Sequence, residues 1–342
     1  MYYSGTKLLS LKDIDGLTPE IFATTTNRTG GKTTYFNRLC LNRYLKGKGK
    51  FVLLYRFTYD LEGCSEKFFK DIGSLFFPDR KMKERVKVKN TAMELFLDGD
   101  SCGYAMPLNK AEKIKEMSHL FSDSGCCFMD EFQSETNTYC PNEIVKFQSI
   151  HTSLARGQGQ QVKYLPVYMA ANPVTILNPY YTEWGFSTRL DNKTKFLRGH
   201  GVVLEQGYVE SASEAQKLSG FNRAFSSSEY SAYAAQGVYL NDNLSFIEKP
   251  EGRSRYLATI KYENSEYGIR EYADDGIVYC TDKADSTYPI KIAVTTNDHA
   301  INYVMLKRND IFISNLRWYF EHGCFRFKDL KCKEALLKTI SY

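Results

Sequence analysis

Residues Thr26-Asn27-Arg28-Thr29-Gly30-Gly31-Lys32-Thr33 read as a near-complete phosphate-binding loop. The preceding run, Ile21-Phe22-Ala23-Thr24-Thr25, is β-prone, and Thr34 to Lys46 spaces Phe36, Leu39, Cys40 and Leu45 along one helical face. Strand, loop and helix thus occur in the order that aims consecutive N–H groups and a helix N-terminus at the β- and γ-phosphates of a nucleoside triphosphate. Lys32 supplies a point charge and Thr33 a hydroxyl for Mg²⁺. Thr34, the next residue, completes the candidate nucleotide-binding set that begins at Thr26. Thr26 stands where the pattern has its first glycine, which leaves the strength of binding open. A glycine-rich turn with a solvated lysine is the simpler reading of the loop alone, so a second site is needed to decide.

That second site lies at Cys126-Cys127-Phe128-Met129, a short buried-strand run ending in Asp130-Glu131. A parallel strand carries such acids to its C-terminal edge, beside the phosphate loop. Asp130 then reaches the Mg²⁺ shell, and Glu131 is the candidate general base for an attacking water. A third apolar run, Leu165 to Ala171, ends in Asn172-Pro173. Asn172 is either a γ-phosphate sensor or the start of a local Asx turn. Lys146 to Ala155 reads as a helix closing with Arg156-Gly157. By local sequence Arg156 is a surface arginine, although an exposed helix end also suits an arginine finger that serves a neighbouring subunit.

Composition sets the frame for these motifs. With 342 residues and 43 % hydrophobic content, the chain has material for a sizeable core and a length that suggests two domains. The formal charge of +5 makes any nucleic-acid surface local. The densest candidate is Arg80, Lys81, Lys83, Arg85, Lys87 and Lys89, read as a loop, with the turn Leu97-Asp98-Gly99-Asp100 as the alternative and a solvated basic face as the bland reading. Nine scattered cysteines without a repeated CxxC pair predict a reduced, intracellular setting and no zinc site. Met1 to Lys12 has no signal-type apolar core, and no apolar run approaches the ~20 residues that span a bilayer.

The motifs together resemble the DNA-packaging (encapsidation) motor ATPases of small podophages, which are terminase-like ring motors. The likeness rests on Asn27-Arg28-Thr29-Gly30-Gly31-Lys32-Thr33, on Asn42 to Lys46 leading into Phe51-Val52-Leu53-Leu54-Tyr55-Arg56, and on Asp130-Glu131-Phe132 followed by Pro141-Asn142-Glu143. Ala171-Asn172-Pro173, Asn178-Pro179-Tyr180, Phe246 to Lys249, Gly276 to Tyr279 and Phe325-Arg326-Phe327 extend it over nearly the whole chain. The resemblance implies ATP and Mg²⁺ as ligands, with Lys32 and Thr33 on the triphosphate and metal and Arg28 reaching phosphate from within the loop. It implies Asp130 in the metal site, Glu131 activating water, Asn172 coupling hydrolysis to movement, and Arg156 as the trans-acting arginine finger. The implied partners are double-stranded DNA, the portal of a procapsid and a structural packaging RNA. The implied assembly is a homo-oligomeric, pentameric ring in the bacterial host cytoplasm, attached transiently to the portal vertex.

The expected fold is α/β. Residues 1–205 should form a P-loop domain of the additional-strand (ASCE) type with a mainly parallel sheet, and 206–238, rich in Ser, Ala and Gly, a small helical linker. Residues 239–342 should form an α+β domain, with strands over Arg255–Lys261, Tyr267–Tyr272 and Ile277–Thr281 and helices over Asn297–Arg308 and Ile311–Glu321. By resemblance this domain is RNase H-like. Lys261 stands near the spot where an active nuclease of that fold carries an acid, so a vestigial nuclease is expected. Asp274, Asp275, Asp282 and Asp285 read as turn acids, and Lys307, Arg308, Arg317, Arg326 and Lys328 as docking cations or scattered solubilising charge. Two rival functions remain: a full terminase with a metal-dependent endonuclease, and a nucleotide-dependent docking scaffold without turnover.

Overall fold

The computed structural model describes residues 2–340 except 62, 137, 158, 160, 177, 188, 191–193, 226–227, 237–238, 240–245 and 307–310, and counts of elements and partners refer to those residues. The chain divides into two compact units, Met1–Asn241 and Asp242–Tyr342.

The first unit is built on nine strands: β1 (Ile21–Thr25), β2 (Lys50–Tyr55), β3 (Met82–Val88), β4 (Ala92–Leu97), β5 (Asp100–Pro107), β6 (Ser124–Asp130), β7 (Val167–Ala171), β8 (Phe196–Arg198) and β9 (Val202–Gln206). Their spatial order is β3-β4-β5-β2-β6-β7-β1-β9-β8. The six strands from β5 to β9 in that order pair in parallel, while β3, β4 and β8 add antiparallel edges. Buried residues run nearly unbroken through β2, β6 and β7, as expected of parallel strands covered on both faces.

Alternate side chains of each strand feed opposite cores. Phe51 and Leu53 join Phe36, Cys40, Phe68 and Phe128 on one face, whereas Val52 and Leu54 join Met129, Phe147, Ile150 and Tyr180 on the other. The flanking helices are α1 (Thr6–Ser10), α2 (Lys32–Leu45), α3 (Cys64–Phe76), α4 (Ala111–Glu116), α5 (Glu143–Leu154) and α6 (Pro179–Glu183). At the start of β6 the backbone comes so close to Lys48 that a Cβ on Gly125 would lie 1.7 Å from the Lys48 carbonyl oxygen.

The segment read as a linker forms α7 (Glu210–Leu218), α8 (Gly220–Ala224) and α9 (Glu229–Gln236), and belongs to the first unit. Asn27 fastens it to the phosphate loop. Its amide donates to the Val209 carbonyl at 3.0 Å and to the Ala235 carbonyl at 3.4 Å, and its Oδ1 accepts from Val209 N at 2.9 Å.

The second unit carries β10 (Arg255–Tyr262), β11 (Ser265–Tyr272), β12 (Ile277–Thr281), β13 (Lys291–Ala293), β14 (Val304–Met305) and β15 (Phe325–Phe327) in the mixed order β14-β13-β10-β11-β12-β15. α10 (Ile311–Glu321) and α11 (Leu330–Ile340) pack their apolar faces, including Ile313, Leu316, Cys332 and Leu336, on Ile260, Ile269 and Val278 of this sheet.

Two expectations need correction. Arg80–Lys89 is not a loop, because Met82–Val88 is the edge strand β3, hairpinned to β4. Asn297–Arg308 is not a helix. A single 3₁₀ turn, Thr296–Asp298, ends before Asn302 takes a left-handed φ of 68°, and Val304–Met305 then pairs with β13, while Lys307 and Arg308 lie outside the described residues. The apolar spacing there serves a short, partly exposed edge strand rather than a helical face.

Candidate nucleotide site

The loop from Thr26 to Gly31 joins β1 to α2 at the C-terminal edge of the parallel strands. Thr29 and Gly31 take left-handed φ values of 61° and 87°, the backbone of a tight anion-binding turn. Thr26 is absent from the positive-φ residues, so its position makes no demand for glycine. Its hydroxyl donates to the Asn27 carbonyl at 3.0 Å, and Gly207 leaves room for its methyl group, since a Cβ there would approach Thr26 Cγ2 to 3.0 Å. Thr26 and Asn27 are both buried, with their side chains turned into protein.

Lys32 and Thr33 open α2 toward the neighbouring strands. Lys32 Nζ donates to Asn172 Oδ1 at 2.6 Å, and Thr33 Oγ1 donates to Asp130 Oδ1 at 3.2 Å. Asp130 ends β6 and Asn172 follows β7, so the topology brings three separate sequence motifs to one edge. Asn172 uses its side chain across the site, with Nδ2 donating to Glu135 Oε1 at 3.3 Å, and not in a local turn. Burial pulls the Lys32 ammonium down to about 8 despite the attraction of Asp130. Burial and the adjacent Glu131 carboxylate push Asp130 up to about 6, against the pull of Lys32. Burial thus disfavours the charged form of both groups, and a bound cation beside Asp130 and a polyphosphate beside Lys32 would favour it.

Glu131 is exposed beside Asp130 with a left-handed φ of 55°, an uncommon backbone state for a residue with a side chain. Arg56, at the end of β2, holds this corner. Its guanidinium donates to the Glu131 carbonyl at 3.3 Å and to the Phe132 carbonyl at 2.9 Å, while Nε is ion-paired to Glu143 at 2.8 Å. Glu143 in turn accepts from Tyr180 OH at 2.8 Å and Cys140 N at 2.9 Å. A cleft of about 350 Å³ opens between Thr33, Arg56, Lys67, Asp130 and Glu131. A second cleft of about 670 Å³ lies across Thr33, bounded by Tyr2, Thr29, Thr34, Arg38 and Phe76.

Arg28 donates to Glu135, which also accepts from Tyr233 OH at 2.6 Å. Arg56, Glu143, Glu135 and Tyr233 were not assigned roles from the residues. Single charges far apart in sequence carry no spacing signal, and only the family motifs pass through Arg56 and Glu143.

Arg156 is absent from this cluster. It is exposed just after α5, where Gly157 approaches Ser122 and Lys163 Nζ donates to the Ser122 carbonyl at 2.5 Å. Ser122 precedes β6, whose far end is Asp130, so a strand's length of roughly 20 Å separates Arg156 from its own phosphate loop.

The family model for the Podovirus DNA encapsidation protein (Gp16) matches residues 1–340. The chain belongs to this DNA encapsidation family. The DNA packaging proteins of Bacillus phage phi29 and Bacillus phage B103 are each 22 % identical to it, covering 91 % of this chain and 89 % and 92 % of their own. The fold is similar to a chain of the bacteriophage phi29 viral genome packaging motor assembly, with a TM-score of 0.65 at 21 % identity, covering all of this chain and 97 % of that one. It is likewise similar to the Phi-28 gp11 DNA packaging motor, with a TM-score of 0.68 at 15 % identity over all of this chain and 98 % of that one. DNA encapsidation is therefore the work of this chain.

The basic candidates are dispersed over edge and hairpin. Arg80 pairs with Asp98, and Arg85 and Lys87 with Glu94, whereas Lys81, Lys83 and Lys89 are exposed without an ion pair among the described residues. In the second unit Arg326 pairs with Glu248, Lys328 with Asp282, and Arg317 donates to the Ile340 carbonyl at 2.8 Å. No described helix is long and apolar enough to cross a membrane.

Proposed function

We propose that the chain hydrolyses ATP to drive double-stranded DNA into a procapsid, acting in a homo-oligomeric ring at the portal. The observation that carries this reading is the meeting of Lys32, Thr33, Asp130, Glu131 and Asn172 at one sheet edge, with Arg156 at the opposite edge. β7, which leads to Asn172, lies between β1 and β6, the strand order of additional-strand P-loop ATPases.

In this mechanism the loop N–H groups and Lys32 hold the β- and γ-phosphates. Thr33 and Asp130 offer the hard oxygen donors that suit Mg²⁺ with its remaining shell of water and phosphate, and Mg²⁺ supplies charge neutralisation on the phosphates. Glu131 accepts the proton of the attacking water, in a corner that Arg56 keeps fixed. Asn172, already bonded to Lys32, reads the γ-phosphate. Arg156 is out of reach of its own site, so its charge acts on a neighbour's triphosphate. DNA contact is to phosphate, because a translocating motor must accept any sequence, and within the basic run Lys81, Lys83 and Lys89 are exposed and free of ion pairs among the described residues.

The strand order β12-β11-β10-β13-β14, three antiparallel followed by two parallel, supports an RNase H-like second unit. Asp285 accepts from Thr287 N at 2.9 Å, Asp282 pairs with Lys328, and Asp274 and Asp275 sit on the exposed turn after β11. These acids serve turns and a surface pair, in keeping with a vestigial nuclease that docks the motor to the portal and its RNA. The test is ATP turnover with and without duplex DNA and procapsids. Stimulation by both that is lost in Glu131→Gln supports the motor, and unchanged turnover in Glu131→Gln contradicts it.

A further inference from the structure

Glu135 touches Arg28 directly, Lys32 through the Asn172 amide, and the helical segment that follows β9. Its Oε1 accepts from Arg28 inside the phosphate loop, from Asn172 Nδ2 at 3.3 Å and from Tyr233 OH on α9 at 2.6 Å. Asn172 Oδ1 in turn holds Lys32 Nζ at 2.6 Å. Tyr233 is fully buried and packs on Val174, two residues beyond Asn172, so α9 rests on the same corner. A second tie is the Arg28 backbone N–H, which donates to the Ala234 carbonyl at 3.0 Å.

We infer that Glu135 is an internal anion that competes with nucleotide phosphate for Arg28 and the Lys32–Asn172 pair, and so couples phosphate binding to α9. The inference rests on the triphosphate reading above and deepens it with a coupling residue. The physical argument is one of charge. Arg28 and Lys32 are the cations of the loop, and each is engaged, directly or through one amide, with Glu135. A polyphosphate brings several negative charges to the same place, where Glu135 repels them and the cations must choose. Whichever anion prevails decides whether Tyr233 keeps its acceptor. Loss of that acceptor removes the charge-assisted one of the hydrogen bonds that seat Tyr233, and so weakens the hold on the short helix α9. The carboxylate is held below its ordinary range, with burial raising it and the Tyr233 hydroxyl and Arg28 together outweighing that effect.

Glu135 is thereby a positioning residue, distinct in role from Glu131. A residue with a merely structural role would, when replaced, lose stability and ligand affinity together. A competing anion predicts the opposite pairing. Glu135→Gln keeps an oxygen for Tyr233 and Asn172 but removes the charge, so it should melt at or slightly below the wild-type temperature and yet bind nucleotide more tightly, by about tenfold.

The experiment titrates ATPγS with Mg²⁺ onto wild type, Glu135→Gln, Tyr233→Phe and Lys32→Ala, alongside thermal melts and amide hydrogen exchange of residues 229–236. The expected result is tighter binding in Glu135→Gln, affinity within about twofold of wild type in Tyr233→Phe, and faster exchange of 229–236 on nucleotide addition in wild type alone. Equal or weaker binding by a folded Glu135→Gln overturns the inference and leaves the nucleotide reading intact. Wild-type exchange over 229–236 that ignores nucleotide also overturns it, without reliance on any variant. Wild type that binds no better than Lys32→Ala overturns the proposed function, and the inference with it.

Discussion

Lys32 Nζ donates to Asn172 Oδ1 at 2.6 Å, which ties the lysine that opens α2 to the residue that follows β7. A neutral amide partner leaves the ammonium without a direct counter-ion, and its burial lowers the pKa to about 8. The remaining charged groups facing it are Asp130, Arg28, Glu131 and Glu135.

This lowered value gives nucleotide binding a pH dependence. Lys32 is charged below about 8 and loses its proton above it, so the affinity for ATPγS should be level from pH 6.5 to 7.5 and fall as pH rises beyond about 8. Lys32→Arg keeps its charge throughout this range and should bind with a level profile. Titrations at constant ionic strength check the difference between the two profiles.

The Glu131 carboxylate borders the cleft beside Asp130, but its side chain is not needed to hold the loop. Glu131→Gln should therefore retain ATPγS affinity within about threefold while turnover drops a hundredfold or more, roughly the contribution of a general base. Equilibrium binding and steady-state phosphate release on the same preparation separate the two effects.

The Arg56–Glu143 pair is a stability element as well as a support for Glu131. The side chains are 10 % and 1 % exposed, so removing one partner leaves a buried charge uncompensated. Arg56→Ala should cost about 3–5 kcal/mol, and Arg56→Ala/Glu143→Ala less than the sum of its parents. Urea unfolding of the three variants measures this coupling, and Arg56→Ala should also slow turnover at temperatures where it stays folded.

Gly125 marks a close approach of backbones. Any Cβ there collides with the Lys48 carbonyl, and neither partner is the flexible end of a side chain. Gly125→Ala should destabilise the protein by about 3 kcal/mol, visible as a lowered melting temperature.

The sequence made the site legible where chemistry and spacing coincide. Asp130 and Asn172 each sit at the end of an apolar run, Lys32 and Thr33 follow the glycine loop that leaves another, and parallel strands bring such ends to one edge, so their meeting follows from pattern alone. Strands β1, β6 and β7 were readable for the same reason, being continuous buried runs. The strand β3 was not, because Met82–Val88 alternates charge with few apolar residues and lies at an exposed edge, where hairpin pairing with β4 outweighs composition. Asn297–Arg308 misled because an apolar residue every few positions fits both a helix and a turn followed by a short strand. The hub at Glu135 was invisible since its partners Arg28, Asn172 and Tyr233 lie 107, 37 and 98 residues from it and share no period.

The most direct measurement is ATP hydrolysis, with duplex DNA and procapsids present, by wild type, Arg156→Ala and an equal mixture of the two. Arg156 lies a strand's length from its own phosphate loop, so the account predicts that Arg156→Ala loses turnover while keeping ATPγS affinity, and that the mixture turns over below the mean of its parents. A mixture at the mean, or full turnover in Arg156→Ala, would contradict a site shared between subunits.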